Sequence, residues 1–194
     1  ESRSREYEKQ IREELGVEAI VIRSTPGLPA QDLRQTIGYF AAPVVSGWID
    51  SAKVVAIAGG RTMQSLVQYM KPALRTDNVC LIQAMGNIDS SPGPYDAVEL
   101  GRRLANQWRG TFLTLNTPAL LPDADMCSRL LKLEQICNVL TRLAQADLAL
   151  VGIGTLDNSV FLERRTLTIH DVQPLRAVGA VGEILGRFYN AEGI

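Results

Sequence analysis

Histidine occurs once, as His170, and that scarcity removes much enzyme chemistry from consideration. A zinc site or a serine-type triad is hard to assemble around one imidazole. Cysteine occurs three times, as Cys80, Cys127 and Cys137, without CxxC spacing and in apolar surroundings. These read as small buried hydrophobes in a reducing compartment. No apolar run reaches the ~20 residues that a membrane span requires. The chain does not open on a basic stretch followed by an apolar one, so no export signal is read. Basic residues number 20 against 21 acidic ones, for a net charge of -1, and no cluster is dense enough to neutralise a row of DNA phosphates. The expectation is a soluble cytoplasmic domain without metal, cofactor or membrane contact, which does not bind nucleic acid by itself.

What the sequence has is an apolar content of 46% over 194 residues, enough to fill the core of one domain. Short β-branched runs alternate with longer amphipathic stretches, which predicts an α/β fold with a largely parallel sheet flanked by helices. The charged first fifteen residues space Tyr7, Ile11 and Leu15 by four, a narrow apolar stripe on a helix that Gly16 ends. Residues 18–22 (Glu-Ala-Ile-Val-Ile) read as the first strand. Helical spacing runs from Leu33 through Ile37, Phe40 and Val44 to Trp48, with a kink or break expected at Pro43. Further strands are expected at 53–58, 78–83, 111–115 and 148–151. Between them lie a helix reaching about Met70, a loop rich in Gly, Ser and Pro over 86–95, and a helix that starts at Asp96 and carries Val98, Leu104, Ala105 and Trp108. One long helix is expected to follow, with Met126, Leu130, Leu133, Cys137, Leu140 and Ala144 on one face and Asp123 and Asp125 at its positive end. The Gly-rich run 179–187 resists assignment.

Ligands of open α/β sheets collect beyond the carboxyl ends of the strands. Four loops leave those ends here. The most informative is Gly59-Gly60-Arg61-Thr62, where glycines allow close backbone approach and a helix N-terminus points its free N–H groups at an anion. Arg61 adds a guanidinium and Thr62 a hydroxyl. The loop also has a plain reading, since glycines after strands often only permit a tight turn. The other loops carry Gly86, Asn87 and Asp89; Asn116, Thr117 and Pro118; and Gly152, Gly154, Thr155 and Asp157. Asp89 reads as a sugar-hydroxyl contact or as a solvated aspartate, and Asn116 as a ligand contact or an Asx-turn. Gly152 and Gly154 mark a tight strand exit. His170, beside Asp171, reads as a surface residue. Glu183, a carboxylate among glycines, suggests close approach by something polar.

Taken in order, these segments resemble the C-terminal sugar-binding domain of the SorC family of DeoR-like bacterial regulators. The resemblance is carried by Leu15-Gly-Val-Glu-Ala-Ile-Val-Ile22, Val54-Val-Ala-Ile-Ala-Gly-Gly-Arg-Thr62, Leu81-Ile-Gln-Ala-Met-Gly86 and Leu115-Asn-Thr-Pro-Ala119. Its most specific blocks are Ala146-Asp-Leu-Ala-Leu-Val-Gly-Ile-Gly154 and Gly179-Ala-Val-Gly-Glu-Ile-Leu-Gly-Arg-Phe-Tyr189. It implies a Rossmann-like fold similar to ribose-5-phosphate isomerases and glucosamine-6-phosphate deaminases. It also implies a phosphorylated sugar or polyol effector, no turnover, and assembly as a homodimer or homotetramer. Operator DNA would be bound through an N-terminal helix-turn-helix outside residues 1–194. By position, Gly60, Arg61 and Thr62 would cradle the phosphate, Gln83, Met85, Gly86 and Asn87 would line the sugar, and Glu183 would hydrogen-bond its hydroxyls.

Two departures bear on that expectation. Some relatives carry a lysine or arginine where this chain has Met85, and methionine supports neither covalent trapping nor a second phosphate. Family domains also continue beyond the equivalent of Gly193 with a further strand and helix that bring a lysine to the phosphate. Two rival readings stay open. One is a sugar-phosphate isomerase or deaminase using Asp89, Asp157 or Glu183 as acid and base. The other is an oligomerisation scaffold that has lost its ligand.

Overall fold

In the computed structural model, which describes residues 3–73, 78–90 and 93–194, β-branched residues fall where a sheet can bury both faces. Val54–Ile57 (β1) and Cys80–Gln83 (β2) are buried at every position. Thr111–Leu113 (β3) and Leu148–Leu150 (β4) complete a four-stranded parallel sheet in the order β3-β2-β1-β4. Register is set by Val54 opposite Cys80, Ile82 opposite Leu113 and Ala56 opposite Ala149. The chain therefore steps outward from β1 to β3 and then returns to the other side of β1. That reversal opens a crevice beyond the carboxyl ends of β1 and β4.

One face of the sheet is covered by three helices. Arg5–Leu15 (α1) precedes them and ends on Gly16, whose φ of 67° suits glycine. The α1 stripe is largely solvated, with Tyr7 and Leu15 exposed. Ala30–Ser51 (α2), Arg61–Tyr69 (α3) and Ala97–Trp108 (α4) bury Ile49, Val67, Met70, Leu104 and Trp108 against Val55, Ile57 and Leu81. Helices α2 and α3 cross backbone to backbone, since a Cβ on Gly38 would lie 2.6 Å from the carbonyl of Ser65. On the other face, Ile136 and Val139 cover Val54, Cys80 and Ile82. Asp147 Oδ2 accepts the amides of Lys53 and Val54, each at 2.9 Å, and these bonds hold its carboxyl below the ordinary range.

Several expectations are corrected. Residues 18–22 form no strand, because their one ladder contact is an isolated bridge between Arg3 and Ile22. The segment is held instead by Glu8, which accepts from the amide of Val21 and pairs with Arg3 at 2.8 Å. Helix α2 runs unbroken through Pro43. A proline inside a helix costs about 3 kcal/mol, and the buried face of Gly38, Ala42, Val45, Ser46 and Ile49 offsets it. The long helix expected after β3 is two, Ala124–Leu130 (α5) and Glu134–Leu143 (α6), because Leu133 turns extended between them. The break rotates the apolar face, so Ile136 and Val139 are buried while Met126 and Leu133 face solvent. Asp123 does cap α5, accepting from Met126 N at 2.7 Å.

The rest of the chain closes the crevice. Gly154–Thr155 (β5) leads through a 3-10 turn, Leu156–Asn158, into Val160–Glu163 (α7) and Ile169–Ala177 (α8). The glycine-rich run is a hairpin of Ala180–Ile184 (β6) and Arg187–Asn190 (β7), turned at Leu185 and Gly186 with φ of 54° and 71°. It forms an antiparallel sheet in the order β5-β6-β7, with Gly154 opposite Glu183. Residues 91–92 of the loop expected over 86–95, and the first two residues of the charged start, lie outside the described residues. No helix among the described residues is long and apolar enough to cross a membrane.

Candidate functional site

The loops at the crevice enclose a cleft of about 680 Å³, a size that holds a small ligand. Gly59, Gly60, Arg61, Thr62, Gln83, Met85, Gly86, Asn87, Gly152, Gly154 and Glu183 all line it. Asn116 does not: it is an exposed turn residue with φ of 52°, and it contributes nothing to the wall.

The turn after β1 is built for close approach. A Cβ on Gly59 would lie 2.7 Å from the carbonyl oxygen of Tyr95 and 2.9 Å from the amide of Ala97. Gly60 has φ of 127° and donates its own amide to Tyr95 O at 2.8 Å, so that N–H is already used. The next three amides, of Arg61, Thr62 and Met63, belong to the first turn of α3, where an α-helix supplies no acceptor. No side chain caps them, and all three residues line the cleft. The helix dipole adds positive potential there. The Arg61 side chain turns across the cleft, with one terminal nitrogen 3.2 Å from Glu163 Oε2 and the other donating to Asn158 O at 3.4 Å.

Gln83 is fully buried and works as a tie. Its Nε2 donates to Asn87 Oδ1 at 2.8 Å while its Oε1 accepts from Leu115 N at 2.9 Å. Gly86 lets the loops after β2 and β3 touch, since a Cβ there would meet Pro118 O at 2.4 Å. The backbone of Asn87 then bonds Thr117 O and the amide of Ala119. Gln83, Gly86 and Thr117 thus fix the shape of this wall, and Asn87 and Met85 present side chains to the cleft.

Opposite stands Glu183, at 7% exposure. Ser159 Oγ donates to its Oε1 at 3.1 Å, and among the described residues Oε2 is buried without a partner. Burial pushes this carboxyl up from its ordinary value, against the downward pull of the Ser159 bond. A buried carboxylate oxygen without a partner, on a residue that lines the cleft, is an acceptor for a hydroxyl donor.

Three residues without a sequence signal complete the site. Tyr95 donates its hydroxyl to Glu163 Oε1 at 2.7 Å, a bond that raises the phenol's pKa. Arg164 reaches Asp89 and Asp96 at 3.0 Å each and lies 5.0 Å over the Tyr95 ring. Asp89 is therefore engaged in holding its loop. Asp96 starts α4 but spends its carboxylate on Arg164 and the amide of Gly93 instead of the helix amides. Asp157 pairs with Arg176 and lies outside the cleft. His170 is exposed, as expected. No group of three or more His, Cys, Asp or Glu among the described residues is arranged to hold a metal.

Residues 2–194 match the family model described as "Putative sugar-binding domain". The transcriptional regulator YjhU of Escherichia coli K12 is 32% identical over 150 residues, covering 75% of this chain and 44% of the relative. The erythritol catabolism regulatory protein EryD of Brucella abortus is 26% identical over 144 residues, covering 73% and 44%. The full-length sorbitol operon regulator SorC of Klebsiella pneumoniae shares the fold, with a TM-score of 0.82 at 22% identity, covering 94% of this chain and 60% of that one. The chain spans about half the length of the curated relatives it matches. By its family match over residues 2–194, the chain belongs to the sugar-binding domain family, and its relatives include transcriptional regulators.

Proposed function

We propose that this chain is the effector-sensing part of a cytoplasmic bacterial transcriptional regulator and that its effector is a monophosphorylated sugar or polyol. One observation carries the reading: Arg61, Thr62 and Met63, the uncapped first turn of α3, and Glu183, whose buried Oε2 has no partner among the described residues, line the same cleft. The first takes a phosphoryl oxygen, and the second takes a hydroxyl proton. A second phosphoryl group beside Glu183 would meet its negative charge, which favours a single phosphate. The names of two similar proteins, for erythritol catabolism and for the sorbitol operon, support a polyol skeleton.

The role is sensing without turnover. An isomerase needs a positioned acid and base beside the carbonyl, whereas Asp89 is held by Arg164 and Asp157 by Arg176, so that of the three candidate carboxyls Glu183 alone is left and has no second member for an acid–base pair among them. Binding would shift a population of domain arrangements and so change operator affinity, exerted through a DNA-binding segment beyond these residues. Exposed Tyr39, Phe40 and Trp48 on α2 support assembly as a homodimer or homotetramer. The test is thermal melting with ribose 5-phosphate, erythritol 4-phosphate and sorbitol 6-phosphate, each beside its unphosphorylated parent. The expected result is a rise with one or more phosphates and none with the parents. Equal shifts with both sets, or isomerised ribose 5-phosphate in the mixture, would defeat the reading.

A further inference from the structure

Segment 159–164 touches both ends of the cleft. At its start, Ser159 caps α7 by accepting the amide of Phe161 and donates its hydroxyl proton to Glu183. At its end, Glu163 lies against the guanidinium of Arg61, the residue that opens the uncapped first turn of α3. Glu163 is held from two sides, by Arg61 at 3.2 Å and by the Tyr95 hydroxyl at 2.7 Å. The next residue, Arg164, fastens the loop after β2 through Asp89 and Asp96.

A carboxylate offers two anionic oxygens to a guanidinium in the same fork geometry as a phosphoryl group. We propose that Glu163 is an internal competitor for the effector's phosphoryl group. It occupies Arg61 until a stronger anion arrives at the mouth of α3, and its displacement loosens α7. This inference rests on the anion reading of the cleft and adds a specificity-determining residue to it. The phosphoryl dianion gains the α3 amides as well as Arg61, whereas a free carboxylate ligand would gain little over Glu163 itself. The Arg61–Glu163 pair is a weak lock, because both side chains are 40% exposed and such pairs are screened by solvent.

The probe is inorganic phosphate, the fragment common to every candidate effector, titrated calorimetrically into the native chain, Glu163→Gln, Arg61→Gln and the double variant. Glutamine keeps the size of Glu163 and still accepts from Tyr95. The expected result is phosphate binding about two- to fivefold tighter in Glu163→Gln, with no such gain when Arg61 is already glutamine. Unchanged or weaker binding, or a gain that survives in the Arg61→Gln background, overturns the proposal while leaving the sensor reading intact. Absence of both phosphate binding and any sugar-phosphate response in the native chain removes the sensor reading and this one with it. A second measurement needs no variant. Saturating phosphate should speed hydrogen exchange at the amides of Arg164, Thr166 and Leu167, which bond Val160 and Phe161 carbonyls. Slower or unaltered exchange there counts against displacement.

Discussion

Ser159 and Glu183 share one hydrogen bond of 3.1 Å, which satisfies one carboxylate oxygen and leaves the other buried. A carboxyl raised by burial makes the folded state bind its proton more tightly than the unfolded chain does. Its stabilising share is full below the ordinary value of 4.5 and is lost as pH rises through the raised value. Glu8, Asp147 and Asp171 are lowered instead, by the Arg3 side chain, by the amides of Val54 and Lys53, and by the Thr168 hydroxyl and amide respectively. Their share is lost only as pH falls below the ordinary carboxylate range. Acidifying from neutral pH towards the ordinary carboxylate value should therefore raise the melting temperature, and Glu183→Gln should flatten that slope. A slope that persists in the variant would place its origin elsewhere.

The same substitution should weaken effector binding. A hydrogen bond to a charged acceptor contributes about 1.5–3 kcal/mol, so Glu183→Gln should cost roughly ten- to a hundredfold in affinity for whichever sugar phosphate stabilises the native chain. Calorimetric titration checks it. The variant is expected to be the steadier protein at neutral pH and the poorer binder, a combination that general damage to the fold would not give.

Thr62→Asp separates helix stability from ligand binding. An acidic residue in the first turn of α3 suits the dipole and should add about 0.3–1 kcal/mol. The same charge repels a phosphoryl group at the mouth. The variant should melt at or above the native temperature and show no phosphate-dependent shift; a retained shift would move the anion away from Thr62.

Arg164→Leu tests the loop tie. The Arg164 side chain is 14% exposed, and its loss takes the shared guanidinium from the carboxylates of Asp89 and Asp96. Removing one partner of a largely buried ion pair costs about 3 kcal/mol, less what partial exposure returns. Urea denaturation should show a loss near 2–3 kcal/mol.

Pro43→Ala should stabilise the domain by about 1–3 kcal/mol, since proline is the poorest residue in a helix interior. The position is exposed, so no packing is disturbed. Chemical denaturation of the variant measures the gain, and a neutral or destabilising result would show that the proline is compensated in the unfolded chain.

The strands β1 to β4 and the helix starts at Arg61 and Asp96 were legible because each is a local pattern: a β-branched run, a glycine pair, an aspartate at the helix start, although its carboxylate bonds elsewhere. The cleft's glycines and Glu183 followed from the same loops and from the family resemblance. The break that Pro43 allowed for does not occur, and the packing of Gly38 on Ser65 that supports α2 joins residues far apart in sequence. The split between α5 and α6 was hidden because the leucines at 130, 131 and 133 satisfy several helical faces at once. Tyr95, Glu163 and Arg164 carry no motif. Their roles arise from contacts across 68 and more positions, such as Tyr95 with Glu163, and only the folded chain brings them together.

The wedge of Gly59 against Tyr95 and Ala97 has a bearing on how this receptor could change its taste. On the proposed reading the mouth that takes the anion is made of main chain, already held against residues 95–97, so little order would have to be gained on docking. Discrimination among guests then falls to a few exchangeable side chains on the facing wall. A new preference can be written there by substitution, while the scaffold that receives the charge stays as it is.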